Sequence, residues 1–201
     1  MNFCRVAEEI LPFLCFYLKA RRLRRREDEP DILKTPNYTD YPTLTDEQLL
    51  QRLEEERLRG AALDEKTFKL TLSLAIGLTV LGTGAGALVN EIPVAGWRFL
   101  VAVGVAVSIF YILGGGFLAL GAMRLLRSYG YGTAMLLAAN EERHNALADD
   151  LARQEIVNVI RTMRNEASYQ MLRNGFVILL ATLIVFASLL AFYTACRAFS
   201  V

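Results

Sequence analysis

Residues 70–89, LTLSLAIGLTVLGTGAGALV, and residues 99–123, FLVAVGVAVSIFYILGGGFLALGAM, decide how this chain is read. Neither run holds a charged side chain, and each reaches about 20 residues or more, the length an α-helix needs to cross ~30 Å of hydrocarbon. A backbone in lipid must satisfy its own hydrogen bonds, so both runs are expected to be helices, joined by a loop at residues 90–98. The pair reads as a transmembrane hairpin, with Leu63, Asp64, Glu65 and Lys66 at its start.

Working outward, residues 175–196 form a third uncharged apolar run, followed by Arg197. Lys66 and Lys69 precede the first run, Arg124 and Arg127 follow the second, and the loop between them offers Arg98 alone. The positive-inside bias places that loop outside, residues 30–69 and 124–173 in the cytoplasm, and the C-terminus outside. Trp97 sits where an interfacial aromatic anchor belongs. The expected fold class is all-α: an integral membrane protein with three transmembrane helices, long cytoplasmic amphipathic helices and an N-terminal interfacial helix. The hydrophobic fraction of 54% would suit a soluble domain, but the apolar residues are blocked into runs with charge concentrated between them. A net charge of +1 supplies no basic field for nucleic acid.

Six segments follow in order: 1–29, 30–44, 45–69, 70–123, 124–173 and 174–201. Within the first, the apolar residues 10–18 are too few for a comfortable span. Glu8 and Glu9 precede them, which argues against a secretory signal. They read as a helix lying in the interface or packed against other spans, with a tilted or re-entrant segment as the alternative. Arg21, Arg22, Arg24, Arg25 and Arg26 come next. Such a cluster attracts anionic lipid headgroups, and Arg forks also match phosphate groups of other ligands. Pro30, Pro36 and Pro42 predict an extended linker. Thr45 and Gln48 form a capping box, with Leu44 and Leu49 at staple positions. The helix beginning there is expected to continue into the first span. Residues 128–132 read as a hinge or tight turn. From about 133 to 173, Leu147, Leu151, Ile156, Ile160, Met163 and Ala167 form a stripe that must be buried against the 45–66 helix or another subunit.

Catalytic constellations are not built. His144 is the one histidine, without the partner four residues away that a zinc helix requires. Gly114, Gly115 and Gly116 lack the Lys-Ser/Thr of a phosphate loop and sit inside a span. Cys4, Cys15 and Cys196 lie too far apart for a disulfide framework or metal cluster. No enzyme activity, cofactor or metal is expected. No Asp, Glu, Lys, Arg or His lies inside a span, which disfavours an ion-coupled transporter. Small residues are more informative. Gly82 and Gly86 form a Gly-xxx-Gly pair, Gly104 with Ser108 and Gly115 with Ala119 repeat the spacing, and Ala187, Ala191 and Ala195 line one face of the third run. Small faces let helix backbones approach, either within one chain or between copies in a homo-oligomer.

Residues 57–67, RLRGAALDEKT, run straight into the first span with an Asp64-x-Lys66 step. This stretch resembles the start of bacterial defence-associated membrane effectors of the SLATT-like and Pycsar-type transmembrane families. Residues 154–175, an amphipathic helix leading into a last span, resemble the Pycsar type. The resemblance implies an oligomeric effector of anti-phage defence in the bacterial inner membrane, which senses a cytosolic signal and then damages the membrane. Expected partners are the lipid bilayer, further copies of the chain and a cytosolic protein; a nucleotide ligand stays open. Asp64, Lys66, Arg124 and Arg127 are the gating candidates. Asp64 and Lys66 are two apart and do not share a helix face. Asp64 is expected to seek a basic group on the 133–173 helix, and Lys66 to snorkel toward headgroups. A non-catalytic accessory or assembly subunit is the alternative, and a small channel the third reading.

Overall fold

The computed structural model describes residues 9–88, 92, 94–121, 129 and 140–198. Among these the regular elements are all helical: α1 Pro12–Glu27, α2 Asp46–Lys66, α3 Ser73–Leu88, α4 Ala95–Leu120 and α5 Asn140–Ala198. Short 3-10 turns at Ile32–Lys34 and Tyr41–Thr43 separate α1 from α2, and a π turn, Thr67–Leu72, joins α2 to α3 without a break. Three helices are long and apolar enough to cross a membrane: Asp46–Gly84, Ala95–Leu120 and Glu142–Cys196.

The centre of the molecule is α5, against which α1, α2 and α4 all pack. Its 59 residues span about 88 Å, well over twice a hydrocarbon core. The segments expected on either side of 173/174 are therefore parts of one continuous helix. No proline interrupts residues 140–198, and Gly175 is held in the helix by close packing on α4. The expected loop 90–98 is also shorter at its far end. Helix α4 starts at Ala95, so Gly96, Trp97 and Arg98 belong to its first turn, where Arg98 donates from Nε and Nη2 to Ile92 O at 3.1 and 2.8 Å. The hinge expected at 128–132 lies outside the described residues except for Tyr129.

Side-chain contacts set the register. Gly175 of α5 lies against Ser108 and Ile112 of α4, so the uncharged run 175–196 faces the first half of α4. Gly116 of α4 lies against Ala75, and Gly82 against Ile109, so α3 covers the second half. The apolar runs are staggered along the bundle. Helix α1 is antiparallel to α5: Asn174 donates to Glu9 O, Phe16 packs near Met171 and Ala167, Ala20 packs near Ile156 and Ile160, and Arg153 reaches Glu27 O and Glu29 O. Of the two expected placements for this helix, in the interface or packed against other spans, the contacts show the packing: α1 lies along α5. Pro12, Ala20 and Glu27 are buried on one side of α1, and that side needs the long axis of α5.

The expected linker is corrected. Instead of running extended, residues 30–44 fold into two turns that put Ile32, fully buried, among Ala152, Ile156 and Ile160. Tyr38 and Tyr41 meet edge to face, with centroids 5.3 Å apart. The capping box forms: Gln48 N donates to Thr45 Oγ1 at 3.3 Å and Thr45 N to Gln48 Oε1 at 3.0 Å. Leu49 and Leu53 of α2 then bury against Leu147, Ala148 and Leu151, with Leu44 alongside. Each fully buried leucine contributes about 2 kcal/mol of transfer free energy.

His144 ties α5 to the start of α2, with Nδ1 at Asp46 Oδ1 and Nε2 2.9 Å from Pro42 O. Both partners are acceptors, so only the imidazolium satisfies them together. The hydrogen bond to Asp46, then that to Pro42, raises the His144 pKa above its ordinary value. The sign follows from linkage. The stabilisation is fully present below the unfolded value of about 6.5 and is lost as pH rises through the higher folded value. Raising the pH from about 6 to about 8.5 is expected to lower the amide-exchange protection factors, corrected for intrinsic base catalysis, at residues 45–49, and His144→Gln to remove most of that change.

Candidate functional site

A polar seam runs between α2 and α5, just before α2 passes into the π turn. Glu56, Gly60 and Asp64 recur at i, i+4 and i+8 on α2; Gln154, Asn158 and Arg161 recur at i, i+4 and i+7 on α5. Each trio shares one helix face, so the packing of α2 on α5 brings the two stripes together. Asn158 uses both ends of its amide. Its Nδ2 donates to Glu56 O at 2.6 Å and Glu56 Oε2 at 2.7 Å, while its Oδ1 accepts from Gln154 Nε2 at 3.3 Å and Arg161 Nη1 at 2.8 Å. Arg161 Nε stands 3.0 Å from Asp64 Oδ2. Gly60 makes this possible. A Cβ there would run into the Arg161 guanidinium and stand 2.6 Å from Asn158 Oδ1.

Gln154 and Asn158 are buried, so they depend on each other and on Glu56 and Arg161 for the hydrogen bonds that water would otherwise supply. Burial pushes the Asp64 carboxyl above its ordinary value, while the Arg161 and Arg164 guanidiniums pull it back. Arg164 also donates to Gly121 O at 2.7 Å, placing a cation at the C-terminus of α4, where the helix dipole favours one. The seam therefore touches α2, α4 and α5 at once. Beyond it, buried Thr67 donates to Leu63 O at 2.7 Å, and Ser73 donates to Lys69 O at 2.7 Å across the π turn. Such π segments mark functional positions more often than chance.

Of the four gating candidates, Asp64 meets a basic group on α5 and Lys66 is exposed. Arg124 and Arg127 lie outside the described residues. Arg21, Arg22, Arg24, Arg25 and Arg26 are all exposed on the last turns of α1.

Small residues organise the other contact, between α4 and α5. Ser108 Oγ donates to Gly175 O at 2.7 Å, and seven residues along, Ser168 Oγ donates to Gly115 O at 2.6 Å. Each helix sets a glycine beneath a serine of the other, and both serines are fully buried. Gly104 faces Thr182 and Gly82 faces Ile109. The surroundings of Gly86 lie outside the described residues. Ala187 and Ala191 are exposed, so that face is not packed within the protomer; the covered face of α5 is the one carrying Gly175, Leu179 and Thr182.

The sequence reading did not single out Glu56, Gly60, Gln154, Asn158, Arg161 or Ser168 for these roles. A signal existed for some of them: Gln154 and Asn158 interrupt the apolar stripe four residues apart, and Ser168 precedes Gly175 at the same spacing as Ser108 precedes Gly115. Among the described residues no three His, Cys, Asp or Glu side chains gather to hold a metal ion. Comparisons with family models, with curated proteins and with solved structures found no match.

Proposed function

We propose that this is an integral protein of the bacterial inner membrane, and that it works as a homo-oligomeric, non-enzymatic effector of anti-phage defence. On this reading it perturbs or permeabilises the membrane when a cytosolic signal or partner acts on the α2/α5 seam. The observation that carries the reading is the unbroken path from α2 through the π turn into α3. Any event that lifts Asp64 from Arg161 rotates or shifts an apolar helix directly. Three helices of sufficient length and apolarity support membrane insertion. The resemblance of residues 57–67 supports the defence role, and the lysines and arginines at 66, 69, 124 and 127 support a cytoplasmic seam with residues 175–196 leading outward. The exposed Ala187 and Ala191 favour the second reading, a non-catalytic accessory subunit that docks another protein there.

Expression in bacteria with a potential-sensitive dye separates the two. Depolarisation and growth arrest under a phage or partner stimulus are expected for the effector. A full membrane potential in every condition, with the protein recovered always as one copy in a larger complex, would establish the subunit instead.

A further inference from the structure

Helix α1 carries a face that the fold leaves open. Its other side, Pro12, Phe16, Ala20 and Leu23, is spent on α4 and α5. Phe13, Leu14, Tyr17 and Leu18 are half exposed instead. At 100° per residue, Arg21, Arg24 and Arg25 continue that same stripe, so one face of a single helix is apolar for its first half and basic for its second. All three arginines are exposed. Beside the apolar half lies a groove of about 400 Å³ between α1 and α4. Its walls are apolar: Phe13 and Leu14 on one side, Phe110, Leu113 and Phe117 on the other, with Met171 at the back. Tyr111 spends its hydroxyl on Ile10 O at 2.5 Å, which fixes α1 at this distance from α4 and leaves the groove little polar lining.

We infer that the α1/α4 groove binds an acyl chain of an anionic phospholipid, with the phosphate held by Arg21, Arg24 and Arg25. The arginines begin seven residues beyond Leu14, about 10 Å along the helix. An acyl chain seated against Phe13 and Leu14 therefore has length enough to carry its headgroup to them. Guanidinium forks suit phosphate oxygens, and the exposed basic end selects against a zwitterionic head. The inference rests on the membrane-embedded reading above. It gives the N-terminal helix a role of its own: a bound lipid wedges α1 against the second half of α4, on the level of α3.

The test uses the full-length protein purified in mild detergent, with dioleoyl phosphatidylglycerol and dioleoyl phosphatidylcholine as probes and native mass spectrometry as readout. One phosphatidylglycerol retained per protomer is expected, with phosphatidylcholine retained about tenfold less. Leu113→Trp, which narrows the groove, should reduce retention of both lipids. The triple change Arg21→Gln, Arg24→Gln, Arg25→Gln should keep lipid binding and abolish the preference. A photoactivatable acyl-chain phosphatidylglycerol should label residues 10–14 and 110–117, which covers the case of a misfolded tryptophan variant. Equal retention of the two lipids, or labelling spread evenly over the exposed faces of α3, α4 and α5, overturns the inference. So does a lipid-free dimer that Leu113→Trp dissociates, since a second copy would then fill the groove. Carbonate washing of native membranes tests the embedded reading separately: protein that stays in the pellet upholds that reading whatever the lipid result.

Discussion

Gly175→Leu is expected to separate α4 from α5 and to destabilise the protein by about 3 kcal/mol. A Cβ at this position would stand 2.7 Å from Ile112 Cγ1, 3.0 Å from Ser108 O and 3.2 Å from Ile112 N. Two of those three atoms are backbone, so no side-chain rotation relieves the crowding and the helices must move apart. Moving apart also loosens the Ser108 bond to Gly175 O, which contributes about 1 kcal/mol, and strains the matching pair seven residues away. Gly77→Leu supplies the control, because nothing lies within 4 Å of a Cβ placed there. Unfolding by denaturing detergent, followed by circular dichroism, should separate the two variants clearly. Equal stability of the two would show that α4 and α5 are not held together by this clasp.

Asp64→Ala is expected to cost about 2 kcal/mol and to uncouple α2 from α5. The pair is not a surface ion pair of negligible worth. The Arg161 side chain is 11% exposed, and removing the carboxylate leaves its guanidinium with Asn158 as its remaining partner in the seam. The penalty arises from the stranded charge more than from the lost attraction. Replacing both partners, Asp64→Ala with Arg161→Met, should therefore recover most of the loss. Thermal stability of the two singles and the double variant measures this in one cycle. Additive losses would mean that the two side chains act independently. If the seam controls the apolar helices, Asp64→Ala should also lower the stimulus needed for depolarisation.

Much of the architecture was legible because its signals are local. Uncharged runs, the Thr45–Gln48 box and the stripe of Leu147 and Leu151 depend on neighbours within a few positions, and the helices formed accordingly. The linker misled because prolines spaced six apart describe an extended chain unless something nearby buries it, and Ile32 with the two tyrosines found α5. In α1, a short apolar segment followed by arginines leaves open whether the helix lies in an interface or packs on other helices, and the buried stripe of Phe16, Ala20 and Leu23 shows that it packs on α5. The Asp64 partner was foreseeable as a basic residue on the later helix. Arg161 could not be chosen over its neighbours, because the choice depends on how α2 is turned and shifted against α5.

The sequence by itself determined the helical class, the three apolar helices and the polar character of the segments between them, because hydrophobicity and hydrogen-bond satisfaction act along the chain. Tertiary structure alone decided that residues 140–198 are one helix, that the apolar runs are staggered against each other, and that Gly115 and Gly175 are where a glycine of one helix meets the backbone of the other. Those outcomes depend on which side chains face one another across helices more than 50 residues apart in sequence. Packing density and the pairing of buried polar groups select that register.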